Sequence, residues 1–314
     1  MSKPHQLTLR RRIRAVFEPL PIRLALFLIP RLPRRGVMWL ARAAGRLAWW
    51  LARRDRRIAM ANLELAYGDS LSPLEKQGIV RQAFTNFVLT GLDYFWFSKD
   101  RERRLDRWVV VDDSLQRWMR PGALLAVTAH LGNWEILGWV TARHSLLLAS
   151  VAKPIKNLRV DAIINRVRSQ SGQQIIPRSG ALRPLTRVLK NGGTVALVLD
   201  QDTLPSDGGL FVPFFGVPVC IAGAAAGLAL KLKVPIVFAF GVCGVDGHYR
   251  CYSSGSLMPE DVAGMSTKEV TIRITAMLEQ EIRRDPGRWL WTYKRWKRRM
   301  PGFDVSRYPF YADC

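Results

Sequence analysis

Histidine and cysteine are scarce in this 314-residue chain, with four of each. Cys220, Cys243, Cys251 and Cys314 form no C-x-x-C pair and lack the dense spacing of a disulfide framework, so the chain reads as reduced and cytosol-facing. His5, His130, His144 and His248 cluster neither with one another nor with cysteine, which argues against structural zinc and sets metal chemistry aside. A phosphate-binding G-x-x-x-x-G-K-[ST] loop is missing, so nucleotide hydrolysis is not expected. Also missing are helix-turn-helix, zinc-finger and ribonucleoprotein signatures, internal repeats and low-complexity linkers. Long apolar runs are lacking too: Arg23, Arg31, Arg42 and Arg46 interrupt every candidate before the roughly 18 residues a spanning helix wants. No clean apolar block leads to a small-residue cleavage site, so a signal peptide fits poorly.

Acidic residues are outnumbered, 25 against 48 Lys and Arg, for a net charge of +23. Yet 48% of the chain is hydrophobic and 11 Trp, 13 Phe and 7 Tyr can fill a core, which excludes a disordered basic chain. Such a charge implies an anionic partner: nucleic acid, an acidic protein or an anionic lipid face. Residues 1–57 hold 15 of the basic residues, among them Arg10, Arg11, Arg12, Arg14, Arg53, Arg54, Arg56 and Arg57, against only Glu18 and Asp55. At about 100° per residue, Arg35, Arg42, Arg46, Arg53 and Arg57 fall on one side of a helix and Val37, Leu40, Ala44, Leu47 and Leu51 on the other. That is either a basic amphipathic helix lying in a headgroup layer, with Trp49 and Trp50 near its end, or a helix packed on the rest of the domain. The chain accordingly divides into a basic amphipathic, membrane-associating segment (1–57) and a single domain (58–314).

Ser72-Pro73-Leu74-Glu75 reads as an N-cap with Pro at the first helical position and Glu at the third, opening a helix through Phe97. Beyond Arg104, short apolar runs (Trp108 to Val111, Leu124 to Thr128, Leu146 to Val151, Thr194 to Leu199, Pro235 to Phe240) alternate with helical patterns near 132–143, 157–170, 180–190 and 220–232. A polar hairpin is placed at 248–256 and a helix over Thr267 to Arg284. The pattern predicts an α/β fold: a central, largely parallel or mixed sheet flanked by helices.

Sites in open α/β sheets gather where strands end and loops lead into helices. The strand Leu124 to Thr128 runs straight into Ala129-His130-Leu131-Gly132-Asn133-Trp134-Glu135. Within one helix His130 and Glu135 would point about 140° apart, so His130 is expected before the helix, with Gly132 easing the turn and Glu135 reaching back to the imidazole. The carboxylate would fix the tautomer and leave the other ring nitrogen as a base. With no nucleophilic Ser or Cys motif, such a base suggests activation of a substrate's own hydroxyl or amine.

These residues resemble the late acyltransferases of lipid A biosynthesis, a branch of the lysophospholipid acyltransferase superfamily with an H-x4-D/E hallmark. Collinear blocks extend the resemblance over about residues 20 to 310. Asn62-Leu63-Glu64-Leu65 is similar to the family's N-terminal helical region, and Lys153-Pro154 with Asn157 stands where the family has Tyr-Arg-Pro then Asn-Pro. Arg166-Val167-Arg168-Ser169 matches an Arg-rich helix end, and Asp200-Gln201-Asp202 with Phe211 to Gly216 matches the D-x-D and V-P-F-F-G blocks. Pro286 to Lys297 resembles the family's closing block.

The resemblance implies transfer of a fatty acyl chain, from acyl carrier protein or coenzyme A, to a hydroxyl of a membrane lipid, a lipid A precursor first of all. A lysophospholipid or a phosphoinositide mannoside is the alternative acceptor, and a non-catalytic basic protein binding membrane or nucleic acid is the rival from another class. His130 would be the general base and Glu135 its orienting partner. Lys153 and Arg168 are candidates for the oxyanion or a substrate phosphate. Asp200 and Asp202 would hold a basic side chain or a sugar hydroxyl, or merely stabilise a turn. No cofactor beyond the acyl thioester is implied. The expected partners are acyl carrier protein or the coenzyme A thioester and the anionic lipid, without nucleic acid, at the cytoplasmic face of an inner membrane. The tail from Trp289 to Lys297 mixes aromatic and basic groups as an interface belt does, or puts its aromatics in the core.

Overall fold

A computed structural model describes residues 18–144 and 147–313; Arg10, Arg11, Arg12, Arg14, His5, Leu146 and Cys314 lie outside the described residues. The first part is helical: α1 (Pro19–Leu28), α2 (Arg34–Leu51), α3 (Arg53–Tyr67), α4 (Pro73–Trp96) and α5 (Arg101–Trp108). The α4 start carries the expected capping box, Ser72 and Glu75 each satisfying the other's backbone N–H.

The basic amphipathic stretch is two helices, because Ala52 leaves the helical region between α2 and α3. The packed face also differs from the expected one. Val37, Ala41, Gly45 and Trp49 are buried, whereas Leu47 and Leu51 are exposed along with Trp39 and Trp50. Gly45 decides this: a Cβ there would stand 2.7 Å from the Thr85 Cα, so only glycine lets α2 lie close on α4. Val37, Ala41 and Trp49 join the same cores as the rest of the chain. Among the described residues no helix is long and apolar enough to cross a membrane.

The sheet holds β1 (Val109–Val111), β2 (Leu124–Thr128), β3 (Leu148–Ala152), β4 (Gln174–Pro177), β5 (Thr194–Val198), β8 (Ile236–Cys243) and β9 (Tyr249–Leu257) in the order β1-β9-β8-β2-β5-β3-β4. Only β8 and β9 pair antiparallel; all other neighbours are parallel. The remaining helices are α6 (Asp113–Gln116), α7 (Trp134–His144), α8 (Leu158–Ser169), α9 (Leu182–Lys190), α10 (Ala224–Leu232) and α11 (Thr267–Arg284). The architecture is thus α/β, a mixed sheet flanked by helices.

Two expectations are corrected. The stretch expected as a hairpin over 248–256 is instead one long strand, β9 (Tyr249–Leu257), paired antiparallel with β8. The helix expected over 220–232 starts at Ala224, because 217–222 is a strand: β6 (Gly209–Phe214) and β7 (Val217–Ala222) form a separate hairpin turning at Phe215 and Gly216, both at positive φ. Of the two readings of the aromatic tail, interface belt or core, the structure shows the core, with Trp289, Trp291 and Trp296 at most 1% exposed, in a stretch that is neither helix nor strand.

Candidate active site

The two central strands β2 and β5 run parallel with Thr128 opposite Val198. His130 and Asp200 each follow two residues later, so the register brings them face to face beyond the carboxyl ends. The imidazole Nδ1–H donates to Asp200 Oδ1 (2.7 Å) and the His130 backbone N–H donates to Asp200 Oδ2 (2.8 Å). Trp289 Nε1–H donates to the same Oδ2 (2.7 Å). Burial pushes the Asp200 carboxyl up, but the charge and hydrogen bonds of His130 and the bond from Trp289 outweigh it and hold it below the ordinary carboxylate range. The His130 side chain keeps 17% of its surface exposed against 3% for Asp200, so one partner faces outward and the other is sealed behind it. On the outer side Gln201 Nε2–H donates to His130 Nε2 (3.3 Å) and the Trp134 ring stands edge-on, 4.6 Å between centroids.

The loop from β2 to α7 is held from both sides. Leu290 N–H donates to His130 O, and Gly132 N–H donates to Arg288 O, both at 3.1 Å, so the tail lies beside it through a single antiparallel bridge, Leu131 opposite Trp289. Asn133 N–H donates to Gly241 O at the β8 edge (2.7 Å). Gly132 adopts φ +65, and a Cβ there would overlap the Gly241 carbonyl oxygen, so no other residue fits this turn. Thr90 and Asn86 of α4 both donate to Gly132 O (3.1 and 3.2 Å). Asn133 then caps α7, its Oδ1 accepting from Glu135 and Ile136 N–H (3.1 and 3.2 Å). Its amide donates to Tyr249 OH (3.0 Å), which donates to Asp93 (2.6 Å), the buried partner of Arg34. A continuous buried chain therefore runs from α2 to the cap beside the histidine.

Glu135 is not the imidazole's partner. Its carboxylate accepts both arms of the Arg168 guanidinium, Nε at 3.1 Å and Nη2 closer still. Two physical reasons combine. Gly132 turns the chain so that Glu135 enters α7 facing α8, where a planar fork matches its two oxygens, while the facing strand supplies a buried acceptor to His130 without any turn. Arg168 is thereby committed to Glu135, and neither it nor Lys153, exposed beyond β3, is hydrogen-bonded to His130.

Asp202 holds cations of the chain itself, Arg298 through both oxygens (3.2 and 3.1 Å) and Lys297 (3.2 Å). Burial raises the Asp202 carboxyl and these two cations bring it below the ordinary value. Asp200 likewise holds a basic side chain, His130. Behind both carboxylates lies the Arg295 guanidinium, 1% exposed and in electrostatic contact with each. Among the described residues no three His, Cys, Asp or Glu side chains converge as a metal would require.

Sequence reasoning missed Gln201 and Trp134 as neighbours of the imidazole and Trp289 as a donor to Asp200, and it assigned Asp200 no definite partner. Equal offsets of His130 and Asp200 from the ends of two apolar strands were a usable signal, but only once β2 and β5 are known to be adjacent.

The family described as bacterial lipid A biosynthesis acyltransferase matches residues 22–298. A lipid A biosynthesis palmitoleoyltransferase of Escherichia coli is 28% identical over 293 residues, covering 88% of this chain and 90% of that protein. A lipid A biosynthesis acyltransferase of Haemophilus influenzae is 25% identical, covering 78% and 79%. A phosphatidylinositol mannoside acyltransferase of Mycobacterium tuberculosis is 27% identical over 204 residues, covering 62% and 61%.

Proposed function

Since the chain belongs to the bacterial lipid A biosynthesis acyltransferase family, we propose that it moves a fatty acyl chain from a thioester to a hydroxyl of a lipid acceptor, with His130 as general base. The pairing of His130 with Asp200 carries this proposal. With Nδ1–H given to an ionised carboxylate, a neutral imidazole has its lone pair on Nε2, the nitrogen on the accessible side. That lone pair takes the acceptor's O–H proton as its oxygen bonds to the thioester carbonyl carbon. The carbonyl oxygen becomes negative, then the C–S bond breaks and the leaving sulfur receives the proton from Nε2. Asp200 holds the tautomer and balances the imidazolium, the role the sequence reading gave to Glu135. Glu135 acts instead through Arg168, holding α7 and α8 together beside the base.

The acceptor is a lipid A precursor and the donor an acyl thioester, of which the acidic acyl carrier protein suits a surface of charge +23. The exposed Leu24 and Phe27 of α1 and the exposed Trp39, Trp50 and Leu51 of α2 stand among Arg35, Arg42 and Arg46, which suits peripheral attachment to an anionic leaflet on the cytoplasmic side of an inner membrane.

The test offers dodecanoyl-acyl carrier protein and dodecanoyl-coenzyme A with three acceptors: an under-acylated lipid A precursor, a phosphatidylinositol mannoside and lysophosphatidic acid. Label moves to the lipid A precursor with wild-type protein and not with His130→Ala. Unchanged transfer by that variant refutes the base, and preference for either other lipid refutes the acceptor.

A further inference from the structure

Stabilising the negative carbonyl oxygen requires a donor aimed at it, and the expected cations do not meet that need beside His130. Arg168 is spent on Glu135. Four of the backbone N–H groups of the loop are spent as well: Gly132 on Arg288 O, Asn133 on Gly241 O, Glu135 and Ile136 on the Asn133 side chain. Gln201 is different. It is half-buried, follows Asp200 at the end of β5, and its amide N–H has the outer nitrogen of His130 as its partner at 3.3 Å.

That nitrogen is where the acceptor hydroxyl must come, so Gln201 occupies the hydroxyl's seat in the free protein and has to turn aside when acceptor arrives. We propose that the released Gln201 N–H then donates to the thioester carbonyl oxygen as it becomes an oxyanion, making Gln201 a catalytic residue of the transfer. A donor on the acceptor oxygen would instead tie up the electron pair that attacks, so only the carbonyl oxygen gains from this bond. As the C–S bond breaks and the carbonyl re-forms, the oxygen loses its charge and the amide returns to Nε2. A neutral amide suits this cycle, since a fixed cation at the same place would oppose the imidazolium. The inference rests on His130 as the base.

Gln201→Ala and the isosteric Gln201→Glu, compared with His130→Ala in dodecanoyl transfer to the lipid A precursor, decide it. Gln201→Ala is expected to lower kcat about 100- to 1,000-fold, the usual loss on removing one such donor, with KM within about three-fold. Gln201→Glu is expected to lose as much and to move the acidic limb of the kcat profile to higher pH, because a carboxylate at Nε2 favours the protonated ring. Thermal melts establish that each variant is folded; if the alanine variant is not, the glutamate variant decides alone. A kcat loss below about ten-fold, or a loss carried by KM, overturns the role of Gln201 while a silent His130→Ala leaves the base standing. Wild-type transfer by His130→Ala overturns both.

Discussion

Asp200→Asn preserves shape and removes charge, and the hydrogen-bond pattern dictates the outcome. Oδ2 accepts from both the His130 backbone and the Trp289 indole, so the one oxygen of asparagine must take that place and its NH2 must face Nδ1. The imidazole then accepts at Nδ1 and carries its proton on Nε2, where a base needs a lone pair. The His130 backbone N–H and the Trp289 indole keep an acceptor, and Gln201 can turn its amide oxygen toward the new Nε2–H, so the fold should survive while the chemistry does not. For the comparable His–carboxylate pair of serine proteases the same wrong-tautomer substitution costs about 10⁴-fold, roughly 5.4 kcal/mol of barrier. We expect about 10³- to 10⁴-fold lower kcat, little change in KM and a melting temperature within a few degrees. The assay is single-acceptor dodecanoyl transfer with melting followed by circular dichroism. A kcat within ten-fold of wild type would refute the assignment of Asp200. The pH dependence has a fixed sign: a carboxyl held below its ordinary value stabilises the fold above the unfolded pKa of about 3.9 and loses that contribution as pH falls through the lower native value. The wild-type advantage in melting temperature over Asp200→Asn should be flat above about pH 4 and shrink below it.

Gly132→Ala should cost about 1–2 kcal/mol for its left-handed backbone alone and more for the overlap with Gly241 O; denaturant melts check the stability, and wild-type activity with unchanged stability would contradict the loop geometry. Replacing both Trp39 and Trp50, 68% and 71% exposed, with serine should leave folding and acyl transfer to detergent-dispersed acceptor intact while weakening sedimentation with phosphatidylglycerol-containing vesicles at least several-fold. Undiminished binding would place the attachment surface elsewhere.

Local chemistry was legible in the sequence. The Ser72–Glu75 capping pair, the run Leu124 to Thr128 and the helix Thr267 to Arg284 lie where short-range hydrogen bonding and periodicity put them, and His130 stands just past a strand as expected. The β6–β7 hairpin was hidden because V-P-V-C-I-A runs into an alanine-rich helix without a polar break, and its turn uses Phe215 at positive φ rather than a standard turn pair. Which side of α2 packs was also hidden, since an exposed tryptophan and a buried one look alike until Gly45 meets Thr85. The partner of the histidine was decided only in three dimensions. H-x4-E suggests a pair within one segment, but the parallel register of β2 and β5 delivers a carboxylate from 70 residues away, and the tail's Trp289 adds a third bond to it. Sequence thus determined which candidate groups stand just past a strand and where most local segments begin, because those depend on neighbours along the chain. Tertiary structure decided which groups meet, because contact across strands depends on order and register, which no local pattern encodes.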